Sequence, residues 1–111
     1  MNQAIKGSAR SLHASGCSPL TAESYGHLLV RWGRWLEEQE IEWNLVSLTN
    51  IEEFLEEYAE DHSRTSTALF GTCLRSFYRW AERRGHVEVS PARNLPPLRP
   101  DRPLPRYQPR R

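Results

Sequence analysis

At 111 residues the chain can hold one domain but not two independent cores. Its 38% apolar and 26% charged residues, with four Trp, four Tyr and three Phe, suit a globular domain and exclude wholesale disorder. The net charge of +1 hides three blocks: +3 over residues 1–35, −10 over 36–62, and +8 over 63–111. Opposed surface patches are therefore expected, with solvated helix faces of mixed sign as the plainer alternative. No apolar run nears the ~18 residues of a membrane span, and no apolar segment behind Met1 makes a secretory signal. Two cysteines without a CxxC pair point to a reducing compartment, so the expected location is cytoplasmic.

Taken in chain order, residues 1–16 show only Ile5, Ala9 and Leu12 in helical register and read as a weak helix or as disordered. Ser18-Pro19 suits an N-cap with proline at the first helical position. From there Tyr25, Leu28, Leu29, Trp32, Trp35, Leu36 and Gln39 make the buried stripe of an amphipathic helix over 19–39. Thr49-Asn50-Ile51-Glu52 fits a capping box for a helix near 50–61. Its buried side is Ile51, Phe54, Leu55, Tyr58 and Ala59, and its glutamates fill the opposite face. Ser63 or Thr65 caps a third helix running to Gly85, with Phe70, Cys73, Leu74, Phe77, Trp80 and Ala81 facing inward. Ser90-Pro91 repeats the cap-plus-proline pattern for a short helix over 91–95. No strand and no repeat is visible. Residues 96–111 hold six of the eight prolines, with Arg99, Arg102, Arg106, Arg110 and Arg111 among them. Such a stretch favours an extended linker, and the chain is expected to be part of a longer protein. The predicted organisation is an N-terminal segment 1–16, a helical domain 17–95 and a Pro/Arg-rich linker 96–111.

Nucleotide-binding, zinc-protease, nucleophile-elbow and EF-hand motifs are all missing. His13 and Cys17 stand at i, i+4, but His27, His62, His86 and Cys73 follow no zinc-ligand spacing. Tyr107 has neither an adjacent base nor oxyanion donors. No catalytic residue, cofactor or metal is expected. The third helix is more informative. Opposite Phe70 lie Arg64, Ala68, Gly71, Thr72, Arg75, Arg79 and Arg83, and Thr65, Ser66 and Thr67 crowd its N-terminus. Arginines that reach phosphates, small residues that allow close approach and donors at the positive end of the dipole suit a helix entering a major groove. The plainer reading is that the arginines solubilise an exposed face and that Gly71 admits a neighbouring helix. Ser18, Thr21 and Ser24 surround the start of the first long helix, where free N–H groups could hold a phosphate, although Ser18 as a cap alone is the simpler view. The acidic helix would then have to face away from nucleic acid.

Ser18-Pro19-Leu20-Thr21-Ala22-Glu23-Ser24-Tyr25, followed by Leu29, Trp32, Trp35 and Leu36, resembles the opening of the core-binding domain of tyrosine recombinases, the phage integrases and Xer-type enzymes. Leu48 to Leu55 resembles the second helix of that domain. Thr72-Cys73-Leu74-Arg75-Ser76-Phe77-Tyr78-Arg79-Trp80, then Gly85 to Pro91, resembles its closing signature, and Pro103-Leu104-Pro105 resembles the linker to the catalytic domain. Two departures stand out: Glu23 is acidic where a groove-entering helix would favour a base, and Ser90 replaces the commoner Asn before proline. The resemblance implies an all-α fold, a compact orthogonal bundle of four SAM-like helices that forms one half of a clamp on duplex DNA. It implies double-stranded DNA of a recombination core site and other recombinase protomers as partners, with no small-molecule substrate and no membrane. It also implies nucleoid association when DNA is bound. The DNA-facing positions it implies are Thr21, Ser24, Thr65, Ser66, Thr67, Thr72 and Arg75; the helical-face argument adds Arg64, Arg79 and Arg83. The catalytic residues belong to a separate domain, so this chain alone is not expected to be an enzyme. A free-standing DNA-binding regulator and a helical protein-interaction module remain as alternatives.

Overall fold

The computed structural model describes residues 2–16, 19–93 and 95, and no strand occurs among them. Four helices run in order, α1 (Asn2–Ala14), α2 (Pro19–Gln39), α3 (Leu48–Asp61) and α4 (Arg64–Arg83), with a 3-10 turn at Trp43–Leu45 between α2 and α3. Among the described residues no helix is long and apolar enough to cross a membrane. Four helices were expected, but they are not the same four. Residues 91–93 form only a turn, closed by Arg93 N–H donating to the Ser90 carbonyl (3.1 Å) and Leu95 N–H donating to that of Ala92 (3.1 Å). Leu95 precedes a proline and so disfavours helical geometry, and Pro96 and Pro97 have no N–H to extend a helix.

The N-terminal stretch supplies the fourth helix instead. Its inward stripe is Ala4, Gly7, Ser8 and Ser11, spaced i, i+3, i+4, i+7, and Ala4 and Ser8 are buried. A stripe of small residues carries little hydrophobic signal, which is why periodicity alone read it as weak. The small side chains let α1 lie close on α2 and α4. A Cβ added at Gly7 would stand 2.7 Å from Cζ2 of Trp80. At the far end of α1 the Arg83 guanidinium donates to Ser11 Oγ at 3.4 Å.

Local chemistry sets the helix ends. Ser63 caps α4 by accepting the Ser66 N–H (3.1 Å). At the other end Gly85 (φ +81°) takes the left-handed position, its N–H donating to the Glu82 carbonyl while that of His86 reaches Ala81. This is a Schellman ending, for which glycine is suited. The expected cap of α3 moves by two residues. Ser47 rather than Thr49 closes the box, its Oγ accepting the Asn50 N–H (3.2 Å) while its own N–H donates to Asn50 Oδ1 (3.0 Å). The expected cap of α2 at Ser18 lies outside the described residues. α2 ends in the same Schellman pattern as α4, with Ile41 N–H donating to the Leu36 carbonyl at 2.9 Å, yet the left-handed residue is Glu40 (φ +59°). An L side chain costs about 1 kcal/mol in that region. Glu40→Gly should therefore raise unfolding stability by about 1 kcal/mol, read from the urea midpoint at unchanged m.

α4 is the central element, packed against α1, α2 and α3. Its expected core residues Phe70, Cys73, Leu74, Phe77, Trp80 and Ala81 are all buried, and so are Tyr78, Thr67, Ala68 and Gly71. Aromatic side chains bridge α2 to α3: Trp32 and Trp35 stack at 5.5 Å, and Phe54 meets Trp32 edge-on at 5.0 Å and Phe70 at 4.8 Å. Ala59, expected on the buried side of α3, is exposed. One polar group runs through the core: the fully buried Trp32 Nε1–H donates to Tyr78 Oη (3.0 Å), which donates to the Trp43 carbonyl (2.8 Å). Cys73 donates from Sγ to the Tyr25 carbonyl (3.7 Å), and burial pushes its thiol from 9.0 up to about 12. The unfolded thiol ionises first as pH rises, so the stability from burying it neutral is complete below pH 9.0 and is lost towards about 12. The urea midpoint should fall between pH 8.5 and 10.5, and fall less in Cys73→Ala.

Candidate nucleic-acid interface

Because neighbours cover α4 on most sides, its solvent face is a narrow stripe. Thr65, Leu69, Thr72, Ser76, Arg79 and Arg83 recur at alternating four- and three-residue steps, all of them exposed except the half-buried Ser76. The stripe is about 27 Å long at 1.5 Å per residue. Leu69 (47% exposed) and Ser76 belong to it although the sequence reading passed over both. The same three- and four-residue spacing, counted from Thr65 instead of from the core, would have found them. Beside the stripe lies the start of α2, held there by the Cys73–Tyr25 contact, with Ser24 exposed and Thr21 half-buried.

The expected site residues divide. Arg64, Thr65, Thr72, Arg79 and Arg83 are exposed, and the Thr72 hydroxyl donates to the Ala68 carbonyl at 3.1 Å. Ser66 is half-buried and engaged in the cap, its Oγ accepting from Ser63 Oγ at 3.2 Å. Thr67 is turned inward: it is 7% exposed, and its hydroxyl donates to the Ser63 carbonyl at 3.0 Å. Ala68 and Gly71, expected to leave room for an approaching surface, are buried, so their smallness serves packing within the bundle. Arg75 is half-buried, with Nη2 donating to the Leu95 carbonyl at 2.7 Å. This bond holds the segment after α4 against the helix.

That segment brings in a residue the sequence did not single out. A cleft of about 280 Å³ is lined by Arg75, Arg79 and Arg93, together with Glu82, Ser90 and Ala92. The Glu82 carboxylate accepts the Ser90 N–H at 2.8 Å and so fixes the turn that carries Arg93. Among the described residues no carboxylate lies within 4.0 Å of any of these three arginines. Arg93 stands 14 residues from Arg79 in the chain, and only the turn back from Gly85 makes them neighbours. By contrast Arg31 of α2 sits over the Tyr58 ring at 5.2 Å, a cation–π contact. The glutamates of α3 are exposed. Among the described residues no group of three or more His, Cys, Asp or Glu could hold a metal ion.

The arrangement is an all-α bundle with one narrow exposed helix face and, beside it, guanidinium groups that make no ion pair among the described residues. Residues 10–85 match the family described as "Phage integrase, N-terminal SAM-like domain". The chain belongs to that family, and the matched part is its N-terminal domain rather than a catalytic one. No curated protein and no solved structure matches the chain significantly.

Proposed function

We propose that this domain binds double-stranded DNA as the core-site-gripping half of an integrase-like recombinase. In this reading the exposed stripe of α4 and the start of α2 face the duplex. The cleft of Arg75, Arg79 and Arg93 carries the proposal: among the described residues three cations lie together with no ion pair, and the one carboxylate in the lining, that of Glu82, accepts the Ser90 N–H. Guanidinium groups presented in this way suit the phosphate backbone. Thr21, Ser24, Arg64, Thr65 and Arg83 supply further donors, and Leu69 offers an apolar contact such as a thymine methyl would meet. No Asn or Gln lies on the α4 stripe to pair with adenine, so phosphate contacts dominate. A catalytic domain on the same polypeptide, and further protomers on the same DNA, would close the clamp and raise affinity. Fluorescence anisotropy of a labelled ~30-base-pair duplex should show binding that weakens steeply with salt, log K falling by roughly 0.9 per phosphate contacted for each tenfold rise in salt. Absence of binding at low salt sinks the reading and favours a protein-interaction module.

A further inference from the structure

α4 carries a single acid, Glu82, among its four arginines. Glu82 lines the cleft of Arg75, Arg79 and Arg93, on the side that the DNA-binding reading turns toward the duplex. By charge alone a carboxylate there repels phosphate. Its contacts are of another kind. Among the described residues it makes no ion pair, and Oε1 instead accepts the N–H of Ser90, eight residues on, at 2.8 Å. Just before Ser90 the chain is loosely covered, with Glu88 and Val89 exposed. From Ser90 onward it tightens. Ser90 and Ala92 are buried, the Ala92 N–H donates to Ser90 Oγ (3.2 Å), and the Arg93 N–H donates to the Ser90 carbonyl (3.1 Å). The turn that presents Arg93 is thus tied to α4 at two points, by Glu82 at its start and by the Arg75–Leu95 bond at its end. Residues 75 and 82 are seven apart, so both ties lie on one face of the helix.

We propose that Glu82 is the positioning residue of the arginine cleft: its carboxylate holds the turn over 90–93 so that Arg93 stands beside Arg75 and Arg79 and the three guanidinium groups meet the phosphate backbone together. The proposal rests on the DNA-binding reading and adds what preorganises the site. Ordering of the turn is met on folding, and binding then has less freedom to remove. A carboxylate accepting a backbone N–H makes a charge-assisted bond, and taking the acceptor from the N–H of a buried residue is costly. The expected effect is opposite in sign to that of simple charge. Removing this negative group from the cleft weakens DNA binding, because Arg93 loses its place.

The test compares Glu82→Ala with Glu82→Gln in the full chain. Both remove the charge, but glutamine keeps a carbonyl oxygen that can accept the Ser90 N–H. In anisotropy titrations Glu82→Ala should bind the labelled duplex about fivefold more weakly than the parent, with a salt slope shallower by about one unit, as loss of one arginine–phosphate contact would give. Glu82→Gln should bind at least as tightly as the parent, with its slope unchanged. On an Arg93→Ala background Glu82→Ala should cause no further weakening, since the contact it supports is already gone. Without DNA, exchange of the Ser90 amide followed by NMR should quicken in Glu82→Ala and not in Glu82→Gln, while the far-ultraviolet circular dichroism of both matches the parent. Equal affinities in the two Glu82 variants, or further weakening on the Arg93→Ala background, overturn the proposal. Absence of duplex binding by the parent removes the DNA reading and this role with it, whereas a parent that binds and two variants that behave alike remove this role alone.

Discussion

Exchanging Arg79 and Arg93 together for glutamate weakens duplex binding by about a hundredfold at low salt, on the basis of roughly 1.5 kcal/mol for each charge-assisted hydrogen bond to phosphate. It also makes the dependence of log K on log salt shallower by about two units, one for each phosphate released. Among the described residues neither of these two side chains makes a hydrogen bond or an ion pair. The Arg75 guanidinium donates to the Leu95 carbonyl at 2.7 Å, so Arg75→Glu would detach the segment after α4 and confuse loss of fold with loss of binding. Arg79 and Arg93 are exposed and line the same cleft, so their exchange should leave the far-ultraviolet circular dichroism and the urea midpoint near those of the parent. Binding unchanged in both affinity and salt slope would place the DNA elsewhere, with the arginines of residues 96–111 the first candidates.

Tyr78→Phe costs about 2–3 kcal/mol of stability, far more than removal of one oxygen from a surface would. The phenol accepts from the fully buried Trp32 indole (3.0 Å) and donates to the Trp43 carbonyl (2.8 Å), tying α2, α4 and the turn before α3 together. Phenylalanine fills the same space but leaves a buried N–H without its acceptor, and an unmade buried hydrogen bond costs about 1–3 kcal/mol. Thermal unfolding should move down by roughly 10 °C for a domain of this size. Trp32→Phe/Tyr78→Phe tests the origin of the loss. With the indole N–H also removed, the double variant should be less destabilised than the sum of the two single ones. Strict additivity would show that the Trp32–Tyr78 bond carries no coupling energy.

Both effects depend on residues of which the sequence showed only part. Arg79 was legible as a member of an i, i+4, i+8 row with Arg75 and Arg83, because residues four apart share a helix face whatever surrounds them. Its neighbour Arg93 was not, since their proximity comes from the chain turning back after Gly85 and being fixed by Glu82 and Arg75. Tyr78 lay outside the predicted core stripe for a related reason. The stripe assumed one buried side, whereas α4 is packed against three other helices. Thr67, Ala68 and Gly71 were placed on the solvent side by the same assumption and are buried.

What the sequence determined by itself was whatever depends on neighbours along the chain. The three long helices follow from apolar spacing, the ends of α4 from Ser63 and Gly85, the all-α class from the lack of alternation, and the opposed charge blocks from simple counting. Tertiary structure alone decided how many sides of each helix are covered. It docked α1 through Ala4, Gly7 and Ser8, turned Thr67 inward, and left α4 one narrow exposed stripe with an arginine cleft beside it. Helical periodicity states which residues face the same way. Which way is outward depends on close packing with neighbours distant in the chain, a quantity that no local pattern carries.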